Sequence, residues 1–317
     1  MAEALGEAAR RIGAADSLVI TCHINPDGDA LGSALALAHA ARGAGVDAVV
    51  SFGEPFVVPD IYSFLDITPL VPPGEIPQAP ELLVVFDVAS PDRLGSLSTS
   101  AAAAGGVVVV DHHRTNDGFG DIAVIDPDAA ASAQLATYLI DEIGWAIDET
   151  VAMCLLTGLV TDTGRFQYSA TSGEVMRVAA RLIDAGARPE VIGQHVYESA
   201  PFGYLGASAA VLGRAVLEED LGLVWSVVFD ADLESAGIGY EDLDGLIDDL
   251  RIAREAGVAA LLKQVPGGFK VSLRSRGSTD VGAIAAAGGG GGHHNAAGFT
   301  VTGTIEDTLE VIRSGLL

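Results

Sequence analysis

Lysine is nearly missing from this chain. Of 317 residues only Lys263 and Lys270 are lysines; the other 15 basic residues are arginines, set against 43 acids for a formal net charge of -26. So acidic a chain excludes holding long nucleic acid through a broad phosphate-neutralising surface. Any phosphate must be handled locally, by metal ions and a few arginines. Cysteine is as scarce. Cys22 and Cys154 lie in apolar runs and read as buried free thiols in a reducing cytosol, without a disulfide framework or a C-x-x-C redox motif. No run of 18 uninterrupted apolar residues occurs, so no membrane-spanning helix is expected. The opening M-A-E-A-L-G-E-A-A-R-R lacks the basic-then-apolar order of a signal peptide and reads as an amphipathic helix. A P-loop, a Ser/His/Asp signature and internal repeats are also missing. Aromatics reach only 6%, yet 49% of the residues are hydrophobic. That composition is globular, and the length suits about two domains.

What is present centres on Thr21 to Ser33, T-C-H-I-N-P-D-G-D-A-L-G-S. A short apolar run precedes it and an Ala/Leu-rich helical pattern follows. The stretch reads as a buried strand, a tight loop through Pro26 and Gly28, and a helix start with Asp29 near the N-cap. His23, Asp27 and Asp29 are the ligand types a divalent ion such as manganese takes. The bland alternative is a turn whose Asp29 only caps the helix.

Two further strands end the same way. Glu81 to Asp87 is E-L-L-V-V-F-D, and Val107 to His113 is V-V-V-V-D-H-H. Continuous apolar runs alternating with helices predict an α/β domain whose parallel sheet is covered on both faces. Ligands of such sheets bind beyond the carboxyl ends of the strands. Three strand ends carrying metal-type side chains are hard to explain as unrelated caps. Ile122–Ile125 reads as an edge strand. A helix from Glu149 runs into T-D-T-G-R-F, where Asp162 opposes the helix dipole and calls for a positive partner.

From about Phe202 the pattern changes to a smaller α/β domain. Its strands are expected at 216–219, 223–229, 258–263 and 269–276, with one helix over 240–254. On the fourth strand Ser272, Arg274 and Arg276 share a face, able to clamp a phosphate or simply to be solvated. The glycine run at 288–292, followed by His293 and His294, suits close backbone approach to a ligand or an anion nest.

These motifs resemble those of a family. H-I-N-P-D-G-D-A-L-G-S, D-V-A-S-P-D-R-L-G, D-H-H and T-D-T-G-R-F resemble the four motifs of the DHH phosphoesterases. V-S-L-R-S-R with G-G-G-G-H-H-N-A-A-G-F resembles the associated DHHA1 domain. The resemblance implies a DHH catalytic domain over 1–187, a helical linker over 188–204 and a DHHA1 substrate-binding domain over 205–317. It implies two Mn2+ ions, one on His23, Asp27 and Asp87, the other on Asp29, Asp87, His112 and Asp162. Asp111 would orient His112. His113 would contact the phosphate or help protonate the leaving oxygen. Arg274, Arg276, Gly291, Gly292 and His293 would bind the other end of the nucleotide, with His294 the alternative to His293.

Four ligand carboxylates balance two divalent ions, and such a pair can bind a phosphoryl group and activate water for in-line attack. The compact length resembles the branch of oligoribonucleases and 3'-phosphoadenosine-5'-phosphate phosphatases, which includes cyclic di-AMP phosphodiesterases. The implied protein is a cytoplasmic, manganese-dependent hydrolase of short RNA, pApA or cyclic di-AMP, and 3'-phosphoadenosine-5'-phosphate. It would have no long duplex or membrane partner, and a homodimer is left open. A polyphosphatase or pyrophosphatase, or a catalytically silent nucleotide sensor, are the competing readings.

Overall fold

The computed structural model describes residues 1–116 and 118–317; the side chain of His293 lies outside what it describes. The chain divides into two compact units, Met1–Glu198 and Ser199–Leu317. The stretch 188–204, expected as a linker, is shared between them.

The first unit contains strands β1 (Ser17–Thr21), β2 (Asp47–Ser51), β3 (Leu83–Phe86), β4 (Val107–Asp111) and β5 (Ile122–Ile125). Its helices are α1 (Ala2–Gly13), α2 (Gly28–Gly43), α3 (Ser98–Ala103), α4 (Ser132–Ile143), α5 (Glu149–Asp162), α6 (Gly173–Asp184) and α7 (Pro189–Ile192). The sheet order is β2-β1-β3-β4-β5 and every pairing is parallel, with β5 at the edge as expected. Alternate side chains explain the two-faced burial. Ile20, Val84, Phe86, Val108 and Val110 face α1, α2, α4 and α5, whereas Val19, Leu83, Val85 and Val109 face Ile76, Leu94, Leu97 and α3. Parallel strands buried on both faces read as unbroken apolar runs for this reason.

α2 and α5 pack closely because glycines face the contact. A Cβ on Gly32 would lie 2.4 Å from the Cys154 carbonyl oxygen, and one on Gly158 would lie 2.7 Å from Asp29 Oδ1. Van der Waals contact between non-bonded heavy atoms begins near 3.5 Å, so neither site admits a side chain without moving a helix. The glycine at 158 thus sets α5 directly against Asp29.

The second unit contains α8 (Gly203–Gly213), α9 (Asp230–Ala236), α10 (Leu246–Arg251), α11 (Val281–Ala287) and α12 (Ile305–Ser314). Its strands are β6 (Val216–Glu218), β7 (Leu223–Val228), β8 (Val258–Val265), β9 (Gly268–Ser275), β10 (Gly291–His293) and β11 (Ala296–Thr302). The order is β10-β11-β9-β8-β7-β6, parallel only between β7 and β8. The single helix expected over 240–254 is a short 3-10 turn, Glu241–Leu243, followed by α10, which begins after Gly245. The end of the glycine run is a strand. Gly291 and Gly292 pair antiparallel with Gly298 and Ala297. A Cβ on Gly290 would sit 2.1 Å from the Gly298 carbonyl oxygen. Close strand approach therefore accounts for this glycine.

Candidate metal centre

Every β-strand of the first unit runs the same way, so the segments after β1, β3 and β4 meet at one edge. After β1, Asp27 and not Asp29 is the N-cap of α2: its Oδ1 accepts the backbone N–H of Asp29 and of Ala30, both at 3.0 Å. Its Oδ2 lies 3.8 Å from His23 Nε2. His23 Nδ1 lies 2.8 Å from the Ile24 carbonyl oxygen, so Nδ1 carries the proton and Nε2 faces the carboxylates. Asp29, freed from capping its own helix, is buried at the start of α4. It accepts Ser132 N–H on Oδ2 at 2.6 Å and Ala133 N–H on Oδ1 at 2.8 Å.

Asp87 follows β3 with φ of +59°, a left-handed conformation that is uncommon outside glycine. Its two oxygens face different ways. Oδ2 lies 3.5 Å from His23 Nε2 and Oδ1 lies 3.5 Å from His112 Nε2. Ser132 donates its hydroxyl to Oδ1 at 2.9 Å. After β4, the Nδ1 of His112 lies 3.2 Å from the Ala129 carbonyl oxygen. Its Nε2 lies 3.4 Å from Asp162 Oδ2 and 3.9 Å from Asp29 Oδ2. Asp162, the last residue of α5, thereby meets an imidazole where the helix dipole needs a positive neighbour. One ligand atom each from His23, Asp27 and Asp87 lie within 4.8 Å of one another. So do atoms from Asp29, His112 and Asp162, and from Asp87, His112 and His113.

The DHH family, N-terminal domain, matches residues 17–159, and the DHHA1 domain matches residues 223–316. A bifunctional oligoribonuclease and PAP phosphatase NrnA from Thermus thermophilus is 33% identical over 307 residues, covering 94% of this chain and 90% of the relative. The chain belongs to the DHH/DHHA1 phosphoesterases. A probable bifunctional oligoribonuclease and PAP phosphatase NrnA from Streptococcus mutans is 26% identical over 293 residues, 87% of this chain and 86% of the relative. The solved structure of an exopolyphosphatase-related protein from Bacteroides fragilis superposes with a TM-score of 0.91 at 24% identity, covering 100% of this chain and 96% of that one. At that identity the likeness concerns the fold. As an NrnA-like DHH/DHHA1 phosphoesterase, the protein is a hydrolase of phosphoester bonds.

The electrostatics of this DHH site call for cations. Asp29 and Asp87 are buried, and with Asp162 they crowd one imidazole. Burial opposes a charge on His23, but Asp27 and Asp87 outweigh it and raise its pKa to about 10. Burial likewise opposes charge on His112, and Asp162, Asp87 and Asp29 raise it to about 9. Burial is the main cause that pushes Asp162 up to about 7. Burial, then the charges of Asp87 and Asp162, push Asp29 up against the opposing charge of His112. Without metal, protons therefore collect where cations belong. Carboxylates brought this close need a compensating charge, and a carboxylate and imidazole set with outward-facing Nε2 atoms fits a divalent ion.

Asp111 meets His112 at its backbone N–H. It is fully buried, and its Oδ1 accepts the His112 backbone N–H at 2.9 Å and faces His113 Nδ1 at 2.7 Å. The Ala129 carbonyl lies at the His112 ring. Ala129 and Ser132 were missed in the sequence, since one contributes a carbonyl and the other reads as an ordinary first-turn residue. In the second unit, Arg276 lies beyond β9. Its guanidinium donates to the carbonyls of Ala253 and Ala256, the latter at 2.8 Å. Arg274 Nη1 donates to the Leu273 carbonyl at 3.0 Å, and its Nε is buried with no partner among the described residues. Gly291 and Gly292 lie in β10, His294 Nδ1 is 2.7 Å from Asn295 Oδ1, and the His293 side chain lies outside the described residues.

Proposed function

We propose that this chain is a manganese-dependent hydrolase of short nucleotide phosphoesters, releasing mononucleotides from two- to five-residue RNA, pApA or cyclic di-AMP, and 3'-phosphoadenosine-5'-phosphate. The observation that carries the reading is Asp87, which turns one oxygen toward the His23 side and the other toward the His112 side. His23, Asp27 and Asp87 would hold one ion, and Asp29, Asp87, His112 and Asp162 the other. Bound there, two ions would supply Lewis acidity toward the phosphoryl oxygens and acidify a water.

The chain's own residues supply the rest. Asp111 Oδ1 lies 2.7 Å from His113 Nδ1, and His113 would contact the phosphoryl or leaving-group oxygen. Arg274, with a buried Nε lacking a partner among the described residues, is a candidate for a distal phosphate; Arg276, His293 and His294 are weaker ones. The first unit would carry the chemistry, and residues 205–317 the recognition of substrate. The net charge of -26 disfavours long polyanions relative to dinucleotides. Names of two relatives, an oligoribonuclease and PAP phosphatase in each case, support the substrate class. Buried thiols at Cys22 and Cys154 agree with a cytoplasmic setting.

The test is to incubate the manganese-loaded protein with 5'-pApA and, separately, with 3'-phosphoadenosine-5'-phosphate, and to follow AMP by chromatography. AMP from both is expected. None from either, with bound metal confirmed, would overturn the reading.

A further inference from the structure

Three residues beyond His113, Asn116 uses its whole amide. Nδ2 donates to Asp111 Oδ2 at 2.6 Å and to the Val88 carbonyl at 3.0 Å, while Oδ1 accepts the Gly118 N–H at 2.9 Å. Two acceptors and one donor fix which end of the amide is which. Asp111 Oδ1 in turn faces His113 Nδ1 at 2.7 Å. Asn116 and His113 thus grip opposite oxygens of one buried carboxylate. Val88 directly follows Asp87, so the same amide ties the turn after β3 to the turn after β4.

We propose that Asn116 is a positioning residue: by pinning Asp111 it fixes the orientation of the His113 ring beside the reacting phosphate. The proposal rests on the functional reading above only for its kinetic arm. Without the amide, Asp111 Oδ2 loses its donor and the carboxylate is held only through Oδ1, by the His112 N–H at 2.9 Å, so it can tilt about that contact and loosen the His113 ring. An aspartate at 116 would fill the same space but set a second carboxylate against Asp111 and against the Val88 carbonyl.

The experiment compares Asn116→Ala and Asn116→Asp, each in the wild-type and in the His113→Ala background. The full-length, metal-loaded protein is assayed with 5'-pApA. In the wild-type background both substitutions should lower kcat by about 10- to 100-fold, the range typical of lost outer-shell partners. KM should stay within about threefold and bound metal should be unchanged. In the His113→Ala background the further loss should be under about twofold, because partners in one network are not additive. Equal losses in both backgrounds, or an Asn116→Asp protein near wild-type activity, would overturn the proposal. A second arm needs no turnover. In protein free of paramagnetic metal, the proton between His113 Nδ1 and Asp111 should give a protected, far-downfield NMR signal that Asn116→Ala shifts or loses. An unchanged signal sinks the proposal even if no nucleotide is hydrolysed, and its loss upholds the positioning role independently of the substrate.

Discussion

Replacing Asp87 by asparagine should weaken both metal positions at once. Asparagine is the suitable probe because the backbone at 87 has φ of +59°, a region asparagine enters more readily than alanine does. The change keeps the shape and removes one negative charge that both imidazole clusters share at 3.5 Å. It leaves three ligand carboxylates where four would balance two divalent ions. Removing one partner from a buried charge pair costs about 3–5 kcal/mol, which is roughly two to three and a half powers of ten in affinity. Isothermal titration of metal-free protein with manganese should show two ions in the wild type and both weakened in Asp87→Asn. Asp27→Asn, whose Oδ2 lies on the His23 side, should weaken one ion. An Asp87→Asn protein that loses a single ion, or that hydrolyses 5'-pApA within tenfold of wild type, would refute the shared-ligand reasoning.

The pH dependence has a definite sign. In metal-free protein His23 is raised from 6.5 to about 10, His112 from 6.5 to about 9 and Asp162 from 3.8 to about 7. The folded chain then binds more protons than the unfolded one across this span. Its extra stability is complete below each unfolded value and is lost as pH passes the folded one. Tm in chelator should fall between pH 6.5 and 10, and divalent metal should restore it; a rising Tm would contradict the charge analysis. Asp87, held low despite burial by His23, His112 and His113, acts oppositely: its contribution is present above the ordinary carboxylate value and is lost as pH falls below it. Gly158→Ala would press a Cβ to 2.7 Å from Asp29 Oδ1 and from Ala133 Cβ. It should cost about 1–3 kcal/mol in urea unfolding and weaken the ion on Asp29 more than the one on Asp27. Hydrolysis of a long single strand should be slower than that of a dinucleotide at equal concentration, and a clear preference for the long strand would contradict the electrostatic argument.

The first unit was legible because its strands are long apolar runs that end in charged side chains, and parallel topology forces those ends to one edge. Asp27's capping role was less so. Both Asp27 and Asp29 suit an N-cap by type, and only the backbone at 27 shows which N–H groups it receives. D-H-H places two histidines equally near Asp111 in sequence, and the structure shows its Oδ1 at the backbone N–H of His112 and at the ring Nδ1 of His113. Around the glycine run, composition suggested close backbone approach to a ligand or an anion nest; the strand β10, paired with β11, was not legible there. Arg276 looked like a strand-face residue by alternation, but β9 ends one residue before it and carbonyl groups take its guanidinium. Local rules locate elements well, and they fail where one long side chain can reach several partners.

Asp27 and Asp29 each anchor backbone at the start of a helix: Asp27 caps α2, and Asp29 takes the first N–H groups of α4. Asp87 is steadied by the Ser132 hydroxyl. These carboxylates are therefore held by contacts that the folded core itself requires. Site and core share the same anchors, so a mutation that removes one of these carboxylates should lower unfolding stability as well as metal affinity.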